Sequence, residues 1–208
     1  MTSRKMRDNS LFLRNEFEGS GRWGIPLIKK QPLISGDFRM IAASNTKPHD
    51  SEENCRCGVY FSVDDYRFTS VYRNPKRSFE KYSQYAFLLT PDHSTYREMN
   101  PWRQLESIAH VRWCGAWWQS KGMIVYPMMT WSTPESYSFC FDAVEQNAVV
   151  AVGMNGCKKN NRLGFLRGYY AMLERLNPEA VICIGNPFPE MQGKLIVVEY
   201  HESRRRAN

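Results

Sequence analysis

No stretch of this 208-residue chain approaches 18 consecutive apolar residues, which excludes a membrane-spanning helix. Residues 1–15 are polar and charged and hold no apolar core of the kind a secretory leader needs. Cysteine is sparse: of six, only Cys55 and Cys57 are neighbours, whereas a small secreted scaffold would be denser in them. One residue separates that pair, not two to four, and no second Cys/His pair follows nearby; a zinc knuckle is therefore not expected, even with His49 upstream. Cys114, Cys140 and Cys183 sit among apolar neighbours, where a reduced thiol behaves as a small hydrophobe. These features predict a reducing, cytoplasmic setting. No Gly-x-x-x-x-Gly-Lys-Ser/Thr loop occurs, so a triphosphate-binding fold is not supported. Internal repeats and low-complexity segments are lacking too.

What the chain does have is apolar and basic. A hydrophobic fraction of 42% with 13% aromatics belongs to a folded protein, and the length suits one core and is short for two. The expectation is a single α/β domain over 1–208, with 1–23 and 201–208 as flexible basic ends carrying Arg4, Lys5 and Arg7, and Arg204, Arg205 and Arg206. The formal net charge of +7 raises the local concentration of polyanions and favours nucleic acid or a nucleoprotein as partner. No membrane partner is expected, and the oligomeric state is left open.

From residue 58 onward strand and helix signals alternate. Val59 to Val63, Ala86 to Leu89, Met123 to Met129, Ala148 to Val152, Ala180 to Ile184 and Leu195 to Tyr200 read as strands, after shorter candidates at Ile25 to Ile28 and Phe38 to Ala43. Helices are expected at Tyr66 to Tyr72, Phe79 to Tyr85, Pro101 to Ser120, Pro134 to Phe141 and Lys159 to Leu176, with Asn100 as N-cap of the third. Ser44 to Cys57 reads as an exposed loop. Uninterrupted apolar strands are buried on both faces, which calls for a mainly parallel sheet sheathed by helices. The fold class expected is α/β, as a small or incomplete barrel, with an open α/β sheet as the other arrangement.

Sites in such folds form at the carboxyl ends of the strands. There the sequence puts Asp64 and Asp65, Asp92 with His93 and Ser94, Trp131 and Ser132, Asn155, and Lys158 and Lys159. Asp64, Asp65 and Asp92 together could hold a divalent magnesium or manganese ion and serve as catalytic carboxylates; as an alternative, Asp64 or Asp65 caps the next helix while Asp92 braces a turn. Lys158, Lys159 and Arg162 open a helix whose N-terminus would attract phosphate, unless they are simply a solvated basic face. Arg112, Trp131 and Asn155 complete the candidate set for binding nucleic acid or phosphate. His93 is not expected to be a catalytic base. The stripe Trp102, Leu105, Ile108, Ala109, Trp113 and Trp117 follows helical spacing and reads mostly as core.

Several of these segments resemble a known family in combination. They are Val63-Asp64-Asp65-Tyr66-Arg67-Phe68, Thr90-Pro91-Asp92-His93-Ser94-Thr95-Tyr96, Arg112 with Gly115-Ala116-Trp117-Trp118-Gln119-Ser120-Lys121-Gly122, Met129-Thr130-Trp131-Ser132, Ser138-Phe139-Cys140-Phe141-Asp142, and Gly168-Tyr169-Tyr170-Ala171-Met172-Leu173. Over about residues 24–185 the chain is similar to the domain of unknown function 4417 family of bacteria and phages. It departs from that pattern at His93, where a large apolar residue is more usual, and in its longer Ser44–Cys57 loop. The resemblance implies a role on phages and other mobile elements, in maintenance or in conflict with the host, and supplies no mechanism. Two classes of function follow as expectations. One is a protein that binds nucleic acid or a nucleoprotein, for instance inhibiting a host defence such as a CRISPR effector. The other is a metal-dependent nuclease or other enzyme acting on nucleic acid.

Overall fold

The computed structural model describes residues 3–35, 38–61, 65–155, 157 and 161–199, the side chains of residues 66–68 excepted. Two short helices, α1 (Ser3–Arg7) and α2 (Ser10–Leu13), precede an antiparallel hairpin of β1 (Gly19–Ser20) and β2 (Ile25–Pro26). Then come β3 (Met40–Ala42), α3 (Glu52–Cys55), β4 (Gly58–Tyr60), α4 (Asp65–Arg73), α5 (Pro75–Tyr82), β5 (Phe87–Leu89), α6 (Pro101–Gln119), β6 (Val125–Tyr126), α7 (Tyr137–Cys140), β7 (Val149–Gly153), α8 (Arg162–Leu176), β8 (Ala180–Ile184) and β9 (Leu195–Val198).

Strands β3 to β6 form one parallel ladder in sequence order, and β7 to β9 a second. A parallel bridge between Met128 and Ala151 joins the two, with Met129 N–H donating to Ala151 O at 2.8 Å and Ala151 N–H to Pro127 O at 2.9 Å. Seven strands thus run the same way, each beside its predecessor. Pro127 lacks an N–H, so the ladder of β6 stops at Tyr126, short of the expected Met129.

Successive side chains of a strand point to opposite faces, and here both faces are buried. One set packs outward under helices. Ile41, Val59, Leu88 and Val125 meet Val71 of α4, Tyr82 of α5 and Trp113, Trp117 and Trp118 of α6; Val150, Val152, Val181 and Cys183 meet Phe139 of α7 and Phe165, Tyr169 and Met172 of α8. The other set, Met40, Ala42, Tyr60, Phe87, Leu89, Tyr126, Met128, Val149, Ala151, Ala180, Ile182, Ile184 and Val198, forms a third cluster with no helical member. Tyr60, Phe87, Leu89, Ala151 and Ala180 in it are nevertheless 0% exposed. Leu33, Ile34 and Phe38, from the segment before β3, pack on this face, and side chains of both ladders meet one another on it, as on the inner side of a curved, open wall of strands. No ladder joins β3 to β9 among the described residues, and the ring is open. This is the α/β, mainly parallel, incomplete arrangement read from the sequence.

Helix α6 is central. Eleven of its 19 residues are buried, including all three tryptophans of the Trp113–Trp118 window, as expected for a helix enclosed on most sides. Pro101 fills its first turn, but the Asn100 side chain makes no capping bond; the Gln104 amide reaches back to Met99 O (2.9 Å) and Tyr96 O (3.2 Å) instead. The Ser44–Cys57 segment is more ordered than a plain loop. Asp50 accepts from Asn54 Nδ2 (2.8 Å), Ser51 N (2.9 Å) and the Tyr85 hydroxyl (2.6 Å), and Gln84 Nε2 donates to Lys47 O (2.8 Å). Its polar residues bond one another rather than water alone.

Candidate functional site at the strand ends

The carboxyl ends of β5, β6 and β7 open into a cleft of about 610 Å³ whose lining includes Asp92, Thr130, Trp131, Ser132, Gly153 and Asn155. Three of the expected site residues, Asp92, Trp131 and Asn155, are brought together here. Phe165 and Asn161, at the start of α8, close one side, and Tyr96, Arg97 and Glu98 another. The size is that of an ordinary small-ligand site.

Trp131 stands half-buried on aromatic neighbours, its ring centroid 5.0 Å from Phe165 and 5.9 Å from Phe141. The seat depends on a glycine of α8: a Cβ on Gly168 would lie 2.1 Å from Trp131 Nε1. Beside the indole, Thr130 Oγ1 and Ser132 Oγ are enclosed and have no hydrogen-bond partner among the described residues. Buried hydroxyls are normally paired, so these two are potential contacts for a bound group.

Asp92 carries the electrostatic signature of the cleft. Burial, and after it the charge of Asp65, pushes its carboxyl up to about 7, so at neutral pH it populates both protonation states. Asp65 begins α4 and accepts from the Ser94 hydroxyl and backbone N–H, holding the loop after β5 against the loop after β4. Cys157, also in the cleft, has its thiol pushed up to about 11 by burial and by Asp92. It is therefore a thiol at neutral pH and a poor nucleophile.

Other expected site residues lie elsewhere. Arg112 is 0% exposed. It donates from Nη2 to Cys140 O (2.7 Å), from Nε to Asp142 O (3.2 Å) and from Nη1 to Met128 O (3.3 Å). A guanidinium so enclosed braces the chain beneath the cleft, and the expectation that Arg112 meets phosphate does not fit its burial. Arg162 pairs with Glu190 and lies 5.6 Å over the Phe188 ring, toward the segment before β9. Asp64, Lys158 and Lys159 fall outside the described residues. Among the described residues no group of three or more His, Cys, Asp or Glu side chains is placed to hold a metal. His93 is buried, its ring 5.5 Å from that of His110. Burial lowers both imidazoles, His110 to about 4, against the pull of nearby carboxylates, so both are neutral at pH 7. Arg97, Asn161 and Cys157 were not among the expected site residues; they belong to no motif and meet only through folding, while Thr130 stood in the Met129–Ser132 segment without a role assigned to it.

Comparison with known proteins agrees with the resemblance read from the motifs. The family described as Domain of unknown function (DUF4417) matches residues 17–201, and the chain belongs to it. The chain is 32% identical over 179 residues to the Gene 1 protein of Mycobacterium phage L5, covering 84% of this chain and 76% of that one. It is 32% identical over 178 residues to the Gene 1 protein of Mycobacterium phage D29, covering 84% of this chain and 65% of that one. The chain thus spans somewhat less than two thirds of the D29 protein. No solved structure matches it. Among the described residues no helix is long and apolar enough to cross a membrane.

Proposed function

We propose that the protein binds nucleic acid, free or within a nucleoprotein, and takes one nucleotide into the strand-end cleft. The observation that carries this is the meeting of Trp131 with Asp92, Asn155, Thr130 and Ser132 around one cleft. An indole wall offers stacking to any base, worth about 1–3 kcal/mol. The amide, the hydroxyls and a carboxyl that is half protonated near pH 7 can both donate to and accept from a base edge. The net charge of +7 supplies the attraction for phosphate. The likeness to phage proteins supports, as a setting, interference with a host defence nucleoprotein such as a CRISPR effector.

A second reading, an enzyme acting on nucleic acid, is favoured by Asp92 itself, since a carboxyl near pH 7 is suited to proton transfer. Magnesium or manganese, with Asp64, Asp65 and Asp92 as ligands, belongs to this reading; Asp65 would have to serve the metal while holding Ser94. One experiment separates the two: labelled single-stranded RNA and DNA are incubated with the wild type, Trp131→Ala and Asp92→Ala, at rising salt, with and without magnesium or manganese. Binding that weakens with salt and about tenfold in Trp131→Ala, with intact oligonucleotide, supports the binder. Cleavage lost in Asp92→Ala supports the enzyme. Absence of both refutes both.

A further inference from the structure

A second pocket, sharing no residue with the cleft, lies between the N-terminal half of α6 and the β1–β2 hairpin. Its volume is about 320 Å³, and its wall includes Ile25, Pro26, Leu105 and Ala109, with Trp23 and Trp102 at the edge. Both edge indoles are exposed, Trp23 by 46% and Trp102 by 63%. At the inner end the Arg14 guanidinium sits in the corner formed by two rings set edge to face, 4.1 Å from the Tyr72 centroid and 3.8 Å from that of Trp113.

The polar groups there are unevenly served. Arg14 Nη2 donates to Tyr72 O at 2.8 Å. Arg14 Nη1 and Trp113 Nε1 are both enclosed and have no acceptor among the described residues, and Trp113 is 1% exposed. Glu106, the acid in the wall, is already engaged by Arg103 and lies 3.8 Å from His110. The pocket therefore combines apolar walls, one cation and two N–H donors awaiting an acceptor. Buried donors in native proteins are overwhelmingly paired, and a carboxylate is the acceptor that also answers the charge of Arg14.

We propose that this pocket binds a small aromatic carboxylic acid. Its carboxylate takes the free N–H groups of Arg14 and Trp113, and its ring lies along Leu105 and Ala109 between the indoles of Trp23 and Trp102. An acceptor reaches the two nitrogens by parting the hairpin from α6, as their enclosure requires.

Phenylacetate and its uncharged relative 2-phenylethanol are the probes, titrated calorimetrically into the full chain. The expected result is saturable one-to-one binding of phenylacetate, at least tenfold tighter than the alcohol. Arg14→Gln should weaken phenylacetate at least tenfold and erase the preference. Ala109→Leu, which fills the wall and leaves both donors in place, should abolish binding of both probes at an unchanged thermal midpoint, so the test stands even if Arg14→Gln fails to fold. Equal affinity for acid and alcohol, undiminished binding in Ala109→Leu, or no binding at millimolar phenylacetate would overturn the proposal.

Discussion

The Asp65 carboxylate holds Ser94 at both oxygens, Oδ1 accepting from the hydroxyl at 2.9 Å and Oδ2 from the backbone N–H at 3.1 Å. This clamp joins the segments following β4 and β5 and sets a negative charge near Asp92. Replacing Asp65 with Asn removes that charge and should lower the Asp92 pKa from about 7, though not to its ordinary value, because burial is the larger cause. Carbon-detected NMR titration of the Asp92 carboxyl measures this. Ser94→Ala, which leaves the charge in place, should cost about 1 kcal/mol in stability and move the Asp92 titration less.

Asp92 also sets a pH dependence of stability. Its folded pKa lies above the ordinary aspartate value of 3.8, at about 7. The folded state therefore holds the extra proton between those two values. The contribution of this group is full below about pH 4 and is lost as pH rises through about 7. Asp92→Asn cannot ionise, so relative to the wild type it should gain stability between pH 5 and pH 8. The gain is about 2 kcal/mol, taken at 1.36 kcal/mol per pKa unit and reduced for the side chain's partial contact with water. Urea denaturation of both proteins at the two pH values checks the sign.

Arg112 should be a stability residue. Its removal strands the carbonyls of Met128, Cys140 and Asp142, which it now serves. Arg112→Met should cost about 3–5 kcal/mol, as when a buried charged partner is lost. Arg112→Lys should rescue little, because an ammonium cannot reproduce the planar fork. Thermal unfolding gives the result directly.

Gly168→Ala opposes two effects. Alanine normally improves a helix interior by about 1 kcal/mol, but here its Cβ would stand 2.1 Å from Trp131 Nε1. The indole must leave its place against Phe165 and Phe141. The variant should be less stable than the wild type by thermal unfolding and should bind oligonucleotide as weakly as Trp131→Ala.

The parallel direction of the strands, and with it the end of the sheet where a cleft would open, was legible because uninterrupted apolar runs such as Val149–Val152 and Ala180–Ile184 leave little room for any arrangement but a parallel sheet. Topology alone brought Asp92, Trp131 and Asn155 to one end of the sheet, each following a strand, and all three line the cleft. Arg112 was misread because its partners are main-chain carbonyls 16 to 30 positions away, and a carbonyl leaves no mark in a sequence. The Asp65–Ser94 clamp spans 29 positions and was invisible for a similar reason. Local capping was the natural reading of an aspartate at a helix start, and nothing local announced the tertiary contact that Asp65 also makes. The polar Ser44–Cys57 segment is largely exposed, as read; its hydrogen bonds to Tyr85 and Gln84 were not legible because nothing local announces those partners.

Stacking of a base on Trp131 can be observed directly. Fluorine NMR of protein labelled with 5-fluorotryptophan gives separate signals for the six tryptophans, and Trp131→Phe assigns the one of interest. On titration with single-stranded oligonucleotide the Trp131 signal should shift saturably, with Trp113 and Trp118 unmoved in the core. A stationary Trp131 signal while the oligonucleotide binds and other tryptophans respond would contradict it.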